Sequence, residues 1–169
     1  MNVLGYDLYP DKKFADEVGM TYTSLNKLYA DSDIISLHCP LTPETDHMID
    51  KNAISKMKKG VMVINTGRGR LIDTNDLIDG LKETDDLIEG IRMHKFAGVG
   101  LDVYEEESNY FYMDRSDYII DDDVLARLLS FNNVIVTSHQ AFFTQEAMAN
   151  IANTTLQNIR DFRTGSELQ

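Results

Sequence analysis

Apolar and polar positions come in blocks along the 169 residues. Short runs of strand length recur at 3–6, 33–38, 61–64, 96–103 and 134–136, with a short edge strand predicted at 21–23. Between them, apolar residues return at helical spacing: Leu25, Leu28 and Tyr29; Ala53, Ile54 and Met57; Leu77, Ile78 and Leu81; Val124, Leu125, Leu128 and Leu129. Residues 12–18 form a further short helix ended by Gly19. Ser24 reads as a helix cap, as does Asp73 or Thr74, and Asp121, Asp122 and Asp123 sit where a helix N-terminus favours negative charge. Gly60 and Gly165 read as helix ends. Met148, Ile151, Ala152, Thr155, Leu156, Ile159 and Phe162 mark a long amphipathic helix over 144–163, which needs an apolar partner. Residues 82–95 are acidic, weakly patterned and read as a surface insertion. Apolar strands separated by helices predict an α/β fold whose parallel sheet is covered on both faces.

Charge and composition narrow what such a fold could serve. The 43% hydrophobic and 26% charged content are ordinary for one globular domain. A formal charge of -12 repels phosphate backbones and anionic membrane surfaces, so nucleic acid is excluded as an expected partner. The single cysteine, Cys39, leaves no disulfide framework and no Cys-rich zinc site, so no metal is expected. No apolar run reaches the roughly 20 residues of a membrane span, and the N-terminus lacks a signal-peptide layout. These features predict a cytoplasmic protein.

Ligands of open parallel sheets bind at the carboxyl ends of the strands. The polar residues at those ends are Asp7, His38-Cys39, Thr66-Gly67-Arg68, Asp102 and Ser138-His139, with Glu105, Glu106 and Glu107 just beyond Asp102. An arginine fork, carboxylates and a histidine suffice for acid–base chemistry on an anionic substrate. Each also has a plainer reading. Asp7 could be a turn residue, Arg68 a loop charge and the three glutamates a solvated acidic face. His38, His47 and His94 read as structural or surface residues. An acid tipping the first strand could grip an adenosine ribose, but a glycine-rich phosphate loop should then lie roughly 20 residues upstream. Only six residues precede Asp7, and the glycines of the chain form no GxGxxG.

Four stretches occur in order, each at a strand end: DIISLHCPLTPET, MKKGVMVINTGRGRLID, GVGLDVYEEE and NVIVTSHQAFFT. Together they resemble the D-isomer-specific 2-hydroxyacid dehydrogenases, and residues 110–143 look most like the fermentative D-lactate dehydrogenases. The resemblance covers nearly the whole chain. It implies a Rossmann-like NAD-binding domain over 1–139, incomplete at its N-terminus because the first strand and phosphate loop are missing. It implies that 140–169 is a helix crossing to the substrate-binding catalytic domain, so that the chain corresponds to the C-terminal half of such an enzyme.

By resemblance, Asp7 holds the adenosine ribose, Cys39 and Pro40 line the cofactor cleft, and Thr45 adds a polar contact. Thr66 and Gly67 lie beside the nicotinamide, Gly67 replacing the usual serine, and Asp102 accepts from the carboxamide. Arg68, Glu107 and His139 match the catalytic trio. The implied reaction interconverts a 2-oxo acid and a D-2-hydroxy acid with NAD, pyruvate and D-lactate first. Alternatives are a bulkier 2-hydroxy acid such as hydroxyisocaproate, or a non-catalytic, regulatory or inactive fragment on the same scaffold. The resemblance allows a homodimer in the full-length enzyme, while this chain alone is expected to be inactive.

Overall fold

The computed structural model describes residues 1–82, 95–105 and 122–165. The chain runs β1 (Val3–Gly5), α1 (Lys12–Val18), β2 (Met20–Tyr22), α2 (Leu25–Asp31), β3 (Ile34–Leu37), α3 (Lys51–Lys56) and β4 (Val61–Asn65). A tight turn over Gly69–Leu71 leads to α4 (Thr74–Lys82), followed by β5 (Phe96–Leu101), α5 (Asp123–Leu129), β6 (Val134–Val136) and α6 (Gln145–Thr164).

Local chemistry sets the helix ends. Each start is capped by a short polar side chain taking up an amide that has no partner in the helix. Asp11 accepts from Phe14 N, Ser24 from Lys27 N, Asp50 from Ala53 N, and Thr144 from Ala147 N. Asp122 takes both Val124 N and Leu125 N. Asp73 accepts from Asp76 N at 3.0 Å and so settles the start of α4. Gly60 does not end α3, which stops at Met57; its φ of +75° instead serves the turn into β4.

All strand pairs are parallel. They form a two-stranded sheet, β1-β2, and a four-stranded sheet in the order β3-β4-β5-β6. Strands laid down in one direction with right-handed crossovers place their helices on one face. Accordingly α2, α3, α4 and α5 are successive neighbours over that face. The core between them holds Ile35, Leu37, Val61, Val63, Val99 and Leu101 from the sheet and Ile54, Leu77, Ile78, Leu81 and Leu128 from the helices.

The opposite face departs from expectation. Ile34, Met62, Ile64 and Ile135 are exposed there, so among the described residues this sheet is covered on one face and not two. Leu129, expected in the core, is also exposed, and the strand predicted over 96–103 ends at Leu101. Helix α6 buries none of its residues. Most of the predicted insertion, together with His94, Glu106, Glu107 and Asp121, lies outside the described residues.

Candidate active site

The carboxyl ends of β3, β4, β5 and β6 form one edge of the larger sheet, and most of the candidate residues follow those strands, while Asp7 follows β1 of the two-stranded sheet. At β1, Asp7 is exposed, and one carboxylate oxygen accepts from Tyr9 N at 2.8 Å. Among the described residues the other oxygen accepts nothing. At β3, Cys39 is half-buried. Burial pushes its thiol above the ordinary range, and the charge of Asp7 adds to the rise. Thr45 donates to the Pro40 carbonyl at 2.7 Å and accepts from Thr42 N at 2.8 Å, which braces the loop after β3.

The β4 end is organised by a residue whose role the sequence reading missed. Asn65 is 1% exposed, and alternation puts it inward with Val61 and Val63. Its side chain donates to the Arg68 carbonyl at 2.9 Å and accepts from Gly67 N at 3.0 Å, pinning the turn from both sides. The available signal was a polar residue at an inward position of an apolar strand, a site tolerated only when its hydrogen bonds are made. Thr66 and Arg68 are exposed, and the Arg68 guanidinium donates to the Gly67 carbonyl at 2.9 Å. A β-carbon on Gly67 would sit 3.4 Å from Leu71 Cδ1 and 3.7 Å from the Cys39 carbonyl, so β3 and β4 meet there with space for a small side chain.

The β5 and β6 ends are joined by Asp102, which is buried. Its Oδ1 accepts from the Thr137 hydroxyl and from Gln140 N at 2.9 Å, and its Oδ2 accepts from Ala141 N at 2.7 Å. Its backbone accepts from His139 N at 2.7 Å and donates to the Asn65 carbonyl at 2.9 Å. Burial alone would raise the Asp102 carboxyl. Thr137, the Gln140 and Ala141 amides and nearby His139 together outweigh it and hold the group below the usual carboxylate range. Asp102 is therefore the clamp on the loop that carries His139. His139 is half-buried with φ +52°, a conformation held by that clamp. Glu107, the third member of the expected trio, lies outside the described residues.

These donors and acceptors suit a dinucleotide. Asp7 presents an exposed carboxylate, and the backbone at Gly67 leaves space for a small group. An open parallel sheet presenting such groups at its carboxyl edge defines a dinucleotide-binding α/β domain. Residues 1–141 match the family described as D-isomer specific 2-hydroxyacid dehydrogenase, NAD binding domain. The chain belongs to that family.

A 2-hydroxyacid dehydrogenase homolog of Zymomonas mobilis is 46% identical over 167 residues, covering 99% of this chain and 47% of that protein. The D-lactate dehydrogenase of Escherichia coli is 44% identical over 165 residues, covering 98% of this chain and 47% of its own length. Among solved structures, the pyruvate reductase of Chlamydomonas reinhardtii superposes with a TM-score of 0.87 at 41% identity, covering 98% of this chain and 48% of that one. The chain thus spans about half the length of the relatives it matches. No helix among the described residues is long and apolar enough to cross a membrane.

Proposed function

We propose that this chain forms the cofactor-binding half of an NAD-dependent D-2-hydroxyacid dehydrogenase acting on pyruvate and D-lactate. The observation that carries the reading is the pairing of two built strand ends: an exposed Arg68 on a turn pinned by Asn65, and His139 on a loop clamped by Asp102. Residues 1–139 would form the nucleotide domain, and α6, within 140–169, would cross to a substrate domain.

NADH, when bound, supplies the hydride. Asp7 would accept from the adenosine ribose, Cys39, Pro40, Thr45, Thr66 and Gly67 would line the cofactor site, and Asp102 would take the carboxamide. Arg68 grips the substrate carboxylate and polarises the neighbouring carbonyl. His139 enters protonated and gives its proton to the developing alkoxide; in the reverse direction it takes that proton back. Glu107 follows the family pattern as the carboxylate that holds the imidazolium.

A bulkier 2-oxo acid is the second reading, favoured by a relative named aromatic 2-oxoacid reductase that is 43% identical over 160 residues. The test is NADH oxidation by the full-length protein with pyruvate and with an aromatic 2-oxo acid, alongside His139→Ala. The proposal expects pyruvate to be preferred and the variant to lose on the order of 10²–10⁴ in rate. Near wild-type activity in His139→Ala would remove His139 from the chemistry. A clear preference for NADPH would remove Asp7 from the ribose site, because a carboxylate repels a 2′-phosphate.

A further inference from the structure

His47 stands apart from the histidines expected to be ordinary. It is one of two non-glycine residues among those described that hold a positive φ, at +51°, a conformation that persists where surroundings impose it. Its ring Nε2 lies 2.7 Å from Glu105 Oε1, and Nδ1 lies 3.8 Å from Asp73 Oδ2. The second oxygen of Glu105 accepts from Thr74 N at 3.1 Å. Glu105 belongs to the run that reads as a solvated acidic face, yet its side chain is only 21% exposed.

This contact closes a frame around Arg68. On one side, residues 47–49 are zipped to 70–73: His47 N donates to the Arg70 carbonyl at 2.7 Å, Ile49 N to the Leu71 carbonyl at 3.0 Å, and Asp73 N to the Ile49 carbonyl at 3.0 Å. Arg70 also pairs with Asp46. On the other side, Gly69 packs directly against the Tyr104–Glu105 backbone, where a β-carbon would meet Tyr104 C at 2.2 Å. The turn carrying Arg68 is thus held between two segments, and the His47–Glu105 bond is the side-chain tie between them. The Arg68 guanidinium donates to the Gly67 carbonyl, which ties its direction to the turn.

We propose that His47 and Glu105 act as a positioning pair that fixes the Arg68 turn and so sets the grip on the substrate carboxylate. This rests on the function proposed above. A misplacement of about 1 Å at a substrate-binding group can cost on the order of 10²-fold. His47→Asn tests it cleanly, because Asn tolerates the positive φ but is too short to reach Glu105. Glu105→Ala breaks the tie from the other end, whereas Glu105→Gln keeps an acceptor for Thr74 N and an amide partner for the ring.

In the full-length enzyme, His47→Asn and Glu105→Ala should each raise KM for the 2-oxo acid by roughly 10–100-fold while the Kd for NADH stays within about twofold. The double variant should be no worse than the worse single one, and Glu105→Gln should retain most of the wild-type KM. Unchanged KM in either disrupting variant, or KM and NADH affinity shifting in parallel, would overturn the proposal. So would failure of both variants to fold, which would make the pair a determinant of folding alone. A wild-type enzyme that reduces no 2-oxo acid overturns the function itself and leaves the pair nothing to position; that result is seen before any variant is made.

Discussion

Gly69 is required for its lack of a side chain. A β-carbon there would lie 2.2 Å from Tyr104 C and 2.5 Å from Glu105 N, both backbone atoms that cannot step aside. Gly69→Ala should destabilise by about 1–3 kcal/mol or more in denaturant unfolding. Gly67→Ser, two residues away, has ordinary contacts and should stay within about 0.5 kcal/mol of wild type. Asp102 makes the sharper prediction at this scale. Its carboxyl is depressed in the folded state, so the stability it confers is present above the unfolded value of about 3.9 and is lost as pH falls through the folded value. Asp102→Asn turns an amide group toward the Gln140 and Ala141 donors and should cost about 1–3 kcal/mol at neutral pH. That gap should narrow as pH drops below about 3.9, when the wild-type carboxyl protonates too. A gap independent of pH would mean that the carboxylate charge is not what holds the His139 loop.

At the scale of elements, α5 shows a cap shared with a loop. Asp122 Oδ1 takes Val124 N and Leu125 N, while Oδ2 accepts from the Tyr104 hydroxyl at 2.7 Å, tying the start of the helix to the segment after β5. Asp122→Ala should cost about 1–2 kcal/mol from the cap alone. Tyr104→Phe in the same background should cost less than it does in the wild type, because the bond the two share is already broken; additive losses in thermal unfolding would show that the two act separately. The acidic run at 121–123 announced this helix start in the sequence, as Ser24 and the 73–74 pair announced theirs. Strand positions were equally readable from the apolar runs. The strand ends were legible too, because polar residues closing apolar runs stand out. Contacts over long sequence separation were not: Glu105 and His47 lie 58 positions apart, and nothing in the sequence joins them. Leu129 shares the spacing of Leu125 and Leu128 yet is exposed, since periodicity reports which way a side chain points but not what covers it.

For the molecule as a whole, the uncovered sheet face decides how the chain behaves in isolation. Register places Ile34, Met62 and Gly98 in one row across β3, β4 and β5, and Ser36, Ile64, Gly100 and Ile135 in the next row across all four strands. Gly98 and Gly100 add no side chain to these rows, beside exposed Met62, Ile64 and Ile135, with Ile135 at 69% exposure. Parallel sheets ordinarily have both faces covered, so this surface has a hydrophobic drive toward any apolar partner. Helix α6 carries a second such surface in Met148, Ile151, Leu156, Ile159 and Phe162, all exposed. Opposing association is the formal charge of -12, whose repulsion weakens as salt shortens the screening length to about 10 Å at 0.1 M. The isolated chain should therefore self-associate in sedimentation velocity, and more so as ionic strength rises. Met62→Gln with Ile135→Gln removes apolar area without altering charge, and should move the chain toward monomer at every salt concentration. A wild-type chain that stays monomeric at high salt would mean that this face has too little apolar area to drive association.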